Sequence, residues 1–173
     1  MIKKILFVLF LLCLGANAYA EKGVNIFAYS RKVPETAVFD QYGKAVALDS
    51  FAGEFVIALF WSKYCVPCLR ELPDVSRFVE KTKGTGIRLI MISPAEDWET
   101  IADQKALLKK RKAENLEIYV DKNNSLATDF GIFTSPHAVL INEDSQEIGR
   151  IRGSLDWDDE DVIEYIYKIK AQN

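Results

Sequence analysis

The chain has 173 residues, 49% hydrophobic and 27% charged, with 22 basic against 25 acidic residues and a formal net charge of −3. That composition suits one globular domain and excludes a disordered or low-complexity chain. The slight acid excess gives no electrostatic footprint for nucleic acid.

The N-terminus reads as an export signal. Lys3-Lys4 is a positive n-region, Ile5 to Leu14 an apolar h-region, and Ala18-Tyr19-Ala20 puts small residues where signal peptidase reads them. Cleavage is expected before Glu21, with residues 1–20 as a signal peptide and the remainder in the periplasm or another extracytoplasmic space. A retained N-terminal membrane anchor is the alternative, although Ile5–Leu14 is short against the ~20 apolar residues a span needs. Cys13 follows bulky Leu11-Leu12 and reads as h-region filler. Losing residues 1–20 removes two lysines and no acids, so the net charge moves from −3 to −5. Only Cys65 and Cys68 then remain, in an oxidising compartment. A pair so close in sequence closes a very short loop and makes a poor staple, which favours a reactive role.

Glu21 to Lys32 has no clear period and is expected to be a flexible leader, so the folded domain is placed at residues 33–173. Glu35–Phe39 and Ala45–Leu48 read as two short strands about a turn at Gly43, an N-terminal β-hairpin extension. Phe55 to Trp61 is an unbroken apolar run, too short for an ordinary buried helix, and reads as a strand covered on both faces. Cys68, Leu72, Val75 and Val79 then recur at helical spacing on one face. That helix is expected to reach about Lys81, with Pro73 kinking it.

The two cysteines therefore sit where a strand turns into a helix, and they are not equivalent. Cys65 lies at the first turn, near unpaired backbone N–H groups that favour a thiolate. Lowering a thiol pKa from ~8.5 to ~7 takes about 2 kcal/mol, within reach of such a site. Cys68 lies one turn in, on the apolar side. Cys65 is the candidate nucleophile and Cys68 the resolving thiol. Pro67 suits the first turn, having a preset φ and no N–H.

Downstream, Ile87–Ile92 is a second apolar strand. Asp97 is expected to cap a helix from Trp98 to about Lys112, with Ile101, Leu107 and Leu108 inward. Lys109-Lys110-Arg111-Lys112 reads as its solvated C-terminal end rather than an anion site. Glu117–Val120 is a short strand, and Ser125–Phe130 a short helix closed by Gly131. Ala138–Ile141 and Glu147–Arg152 form a hairpin. Acidic Asp158–Asp161 opens a final helix with Val162, Ile163, Ile166 and Ile169 inward. This order predicts an α/β sandwich with a mixed central sheet and flanking helices.

From Val33 onward the chain resembles the thioredoxin superfamily, and within it the exported disulfide reductases of the TlpA type. Phe60-Trp61-Ser62-Lys63-Tyr64-Cys65-Val66-Pro67-Cys68 matches Phe-Trp-x-x-Trp-Cys-x-Pro-Cys, with Tyr64 in place of the second Trp. Glu71-Leu72-Pro73, Gly131 to His137, and Gly153 to Trp157 match further elements of the family. The resemblance implies a thioredoxin-like three-layer sandwich. It implies that Pro136 is cis and packs beside the cysteines, and that Ser135 offers its backbone to an extended substrate segment. Trp61 and Tyr64 would border Cys65 as an apolar docking rim, Trp61 mainly by packing.

Two positions depart from the family. Thioredoxins carry a buried acid six residues before the first cysteine, where this chain has Leu59. Glu71 is the candidate replacement for handling the proton of Cys68; alternatively it is an acid favoured early in a helix. His137, the single histidine, reads as a solvent-facing strand residue, the alternative being an imidazole that stabilises the Cys65 thiolate.

The expected function is a thiol–disulfide oxidoreductase that reduces disulfides in exported proteins. The redox-active Cys65–Cys68 pair serves without another cofactor, and a membrane thiol donor regenerates it. The chain is expected to act as a monomer, without nucleic acid. A disulfide oxidase or isomerase is the runner-up, followed by Cu(I) handling and a non-catalytic adaptor. With one histidine and two mature cysteines, a closed four-ligand zinc site of Cys and His is unavailable, and no metal ligands are assigned.

Overall fold

A computed structural model describes residues 23–173; the expected signal peptide, its cleavage site and Cys13 lie outside the described residues. Strands are β1 Val24–Lys32, β2 Val38–Asp40, β3 Ala45–Val46, β4 Phe55–Phe60, β5 Ile87–Pro94, β6 Glu117–Asp121, β7 His137–Ile141 and β8 Gln146–Arg152. Helices are α1 Val66–Lys81, α2 Ile101–Lys110, α3 Ser125–Phe130 and α4 Glu160–Gln172. The strands form one sheet in the order β1-β8-β7-β4-β5-β6-β2-β3. β4, β5 and β6 run parallel, while β7 and β8 return antiparallel. This is the mixed sheet and thioredoxin-like sandwich that the element order and the resemblance imply.

All six residues of β4 are buried, as its unbroken apolar run requires. Alternation along the strand feeds two cores. Ile57 and Leu59 face α1, α2 and α4. Val56, Ala58 and Phe60 face α3 and a short 3-10 helix, Leu48–Phe51. On the first face Phe78 of α1 meets Trp157 edge to face, with ring centroids 5.4 Å apart. The stripe Val162, Ile163, Ile166 and Ile169 of α4 is buried there, as its spacing predicts.

Three expectations are corrected. Residues 24–32, expected in a flexible leader, form β1 and pair antiparallel with β8. An edge strand needs no apolar alternation, because its partner's backbone holds it and its faces are largely solvated. Gly149 permits the approach: a Cβ there would meet Asn25 O and Ile26 Cδ1, each at 2.8 Å.

The second helix begins at Ile101, not Trp98. Thr100 is its N-cap, in a capping box with Asp103, while the Asp97 carboxylate accepts the backbone N–H of Lys63 at 3.1 Å. Thr100→Ala is expected to cost about 1 kcal/mol, read as a lower urea midpoint at unchanged slope.

His137, expected to face solvent, is 5% exposed. Its strand lies between β4 and β8 with helices on both faces, so no position along β7 is solvated.

Candidate functional site

The end of β4 and the start of α1 bring the sulfurs to the C-terminal edge of the parallel strands. Cys65 is the N-cap of α1, and Pro67 lies in the first turn. Cys65 and Cys68 are joined as a disulfide, with Cα atoms 5.3 Å apart. The backbone N–H of Cys68 points at Cys65 Sγ from 3.2 Å. In the reduced protein that donor and the helix dipole favour a thiolate on Cys65. Cys68 is 1% exposed and packed in the α1-side core, whereas Cys65 is half-buried at its margin. The difference in access predicted from the helical face is present.

The Ser135–Pro136 peptide is cis. The carbonyl oxygen of Ser135 lies 3.4 Å from Cys65 Sγ, so the loop and the reactive sulfur share one surface. The Pro136 carbonyl accepts the N–H of Gly153 at 3.0 Å, fixing the loop from behind.

Glu71 lies three residues after Cys68 on the same helix and is 5% exposed. Burial raises its pKa to about 7; the backbone N–H of Leu155 and the Trp157 side chain pull the other way, and the charge of Asp74 adds to the rise. Oε2 accepts the Leu155 N–H at 3.3 Å, whereas Oε1 and the Trp157 indole nitrogen are buried without hydrogen bonds. Trp157 therefore acts on the carboxyl through its dipole at longer range than a hydrogen bond. The acid position of thioredoxins is filled by buried Leu59, and Glu71 is the buried carboxyl three residues after Cys68 on α1.

The two halves of the expected aromatic rim separate. Tyr64 is 75% exposed beside Cys65. Trp61 is buried against Trp98, with centroids 5.6 Å apart, and supports the site from within rather than forming a docking surface. The Lys63 ammonium sits 5.0 Å from the Tyr64 ring and 5.4 Å from the Trp98 ring.

His137 is no partner for the thiolate. By alternation it shares a face with Val139 and Ile141, which belong to the α3-side core, opposite Cys68. Burial, then the charges of Arg150 and Arg152, lower its pKa to about 4. At neutral pH it is an uncharged imidazole with a buried, unpartnered Nε2.

Sequence reasoning missed the part of Phe133, and it noted the segment Gly153 to Trp157 only as a family element, without its contacts. Phe133 is 84% exposed two residues before Ser135, as a single aromatic in a loop that no periodicity could flag. The segment Gly153 to Trp157 ties the cis-proline loop to Glu71 through the Gly153 and Leu155 N–H groups. Its Gly-x-x-x-Trp spacing was the available signal.

A thiol–disulfide oxidoreductase ResA of Bacillus thuringiensis subsp. konkukian is 28% identical over 139 residues, covering 80% of this chain and 77% of that protein. Two solved structures share the fold. A thiol:disulfide interchange protein from Bacteroides sp. has TM-score 0.66 and 20% identity, over 84% of this chain and 91% of that one. StoA from Bacillus subtilis has TM-score 0.61 and 23% identity, over 77% and 99%. A disulfide between one accessible and one buried sulfur has the chemistry these names describe: the chain is a thiol–disulfide oxidoreductase. The AhpC/TSA family matches residues 29–166, from within β1 to within α4, and so takes in the whole redox site. By that match the chain belongs to the AhpC/TSA family, a thioredoxin-like family.

Proposed function

We propose that this oxidoreductase works outside the cytoplasm as a reductase of disulfides in exported proteins, with Cys65 and Cys68 as its only redox group. The Cys65 thiolate attacks one sulfur of a substrate disulfide, forming a mixed disulfide and releasing the first substrate thiolate. Glu71 takes the Cys68 proton, and the Cys68 sulfur attacks Cys65 Sγ. The mixed disulfide breaks, the second substrate thiolate leaves, and the electron pair has passed from protein to substrate. A dithiol donor at the membrane then reduces Cys65–Cys68, and the chain cycles as a monomer. Ser135 and Tyr64 flank the attacked sulfur and hold the substrate backbone beside it.

The observation that carries this reading is a buried Cys68 and, three residues on along α1, a buried, readily protonated Glu71 carboxyl, behind a half-buried Cys65. Strong oxidants are oxidising because their reduced form is stabilised. Here the single histidine is neutral and on the far face of the sheet, so no imidazolium supplies that stabilisation. Equilibration with glutathione redox buffers is expected to give a potential below about −200 mV. A value near about −120 mV would replace the reductase with the oxidase reading.

A further inference from the structure

Ser135 belongs to two features at once. Its carbonyl oxygen touches Cys65 Sγ, and it also lines a cavity of about 330 Å³. The sulfurs belong to the α1 side of the sheet, whereas Phe60, Ile92, Ala127 and Ile132 in the cavity wall belong to the α3 side. Phe133 stands at the rim, largely exposed.

Three polar side chains of the lining are already engaged. The Asp121 carboxylate accepts the N–H groups of Leu126 and Ala127 at 3.0 and 2.9 Å. Ser93 Oγ accepts from Trp98 Nε1 and Gln104 Nε2. Thr128 Oγ1 donates to the Asn124 carbonyl. An occupant therefore finds the apolar wall of Phe60, Ile92, Ala127 and Ile132, with Asp121, Ser93 and Thr128 committed to partners within the chain. At about 330 Å³ the space lies at the lower end of the ~300–1,000 Å³ range of small-molecule pockets, suited to one side chain.

A segment laid along Ser135 as an added strand alternates its side chains between the two faces. When its cysteine points to Cys65 on the α1 side, the adjacent residue points to the α3 side, where the cavity lies. We propose that the cavity is a specificity subsite for an apolar side chain, aromatic or branched aliphatic, next to the attacked cysteine of the substrate. The inference rests on the protein-disulfide reading above and adds a sequence preference to it. The Asp121 charge in the lining disfavours an acidic neighbour.

The test uses short peptides whose one cysteine is blocked as a mercaptoethanol disulfide. The adjacent residue is Phe, Leu, Gly or Asp, varied in turn on each side, and the pre-reduced protein is the reductant. Phe or Leu is expected to exceed Gly by about tenfold in the second-order rate constant on one side of the cysteine, with Asp below Gly. Thr128→Trp fills the cavity from the exposed face of α3 and is expected to bring the Phe-to-Gly ratio to within about twofold of unity. Phe133→Ala lowers the same ratio several-fold. Each ratio is taken within one protein, so general damage cancels. Equal rates for all four peptides with the unmodified protein overturn the subsite while leaving the reductase intact. Failure to reduce any of them removes the reductase reading, and the subsite with it.

Discussion

A Cys68→Ser protein is expected to react once with a disulfide substrate and stop. Cys65 keeps its helix N-terminus and its place beside Ser135, so attack proceeds. No second sulfur can then release the adduct, and the mixed disulfide accumulates. Multiple turnover is expected to fall by at least about 10³-fold, because a missing resolving group is not replaced by water at a disulfide. Intact mass should show a one-to-one adduct on Cys65 that dithiothreitol removes. Cys65→Ser should form no such adduct, because Cys68 is 1% exposed. Access matters more here than acidity. For any thiol, lowering the pKa from ~8.5 to ~7 raises the thiolate fraction at pH 7 roughly 15-fold. Intrinsic nucleophilicity falls about fivefold over the same range, leaving about threefold net. A larger reactivity gap between the two sulfurs must come from burial. If Cys65→Ser and Cys68→Ser trap substrate equally well, the division of labour fails.

What was legible in the sequence follows from where the interactions lie. The strand β4, the cysteine junction and α1 are contiguous, and their apolar run and helical stripe are local signals. Residues 125–130 form the expected short helix, because its stop signal, Gly131 in the left-handed region at φ 67°, sits directly after it. The misses concern partners distant in sequence. β1 exists because β8 offers it an edge more than a hundred residues away, and its one hint, Gly149, lies on that partner. The burial of His137 depends on which strands flank β7, which no stretch around Pro136 encodes. Glu71 was legible as a candidate from its spacing after Cys68. Its chemistry was not, because that depends on Leu155 and Trp157, folded back from beyond β8.

Glu71 should also make stability depend on pH, in a sense opposite to that of an ion-paired acid. Its native pKa of about 7 exceeds the ordinary value of 4.5, chiefly because burial penalises the charge. Between those pH values the native state holds more protons than the unfolded chain, so stability falls as pH rises. Its contribution is complete below about pH 4.5 and lost by the time pH has passed through about 7. A rise of that size corresponds to about 3 kcal/mol. Urea unfolding of the oxidised protein is expected to show that loss between pH 5 and pH 8, and Glu71→Gln should abolish this component of the slope. The same substitution keeps an acceptor for the Leu155 N–H but cannot take a proton from Cys68. Resolution of the mixed disulfide at pH 7 is therefore expected to slow by about 10²-fold, the lower end for loss of a general base. The inflection near pH 7 in the resolution rate should disappear with it. A merely structural carboxyl would give the stability effect without the kinetic one. Parallel slopes for the two proteins would instead mean that the charge is tolerated in place and the pKa is not raised, whereas an unchanged resolution rate in Glu71→Gln would mean that Glu71 is not the group that receives the proton.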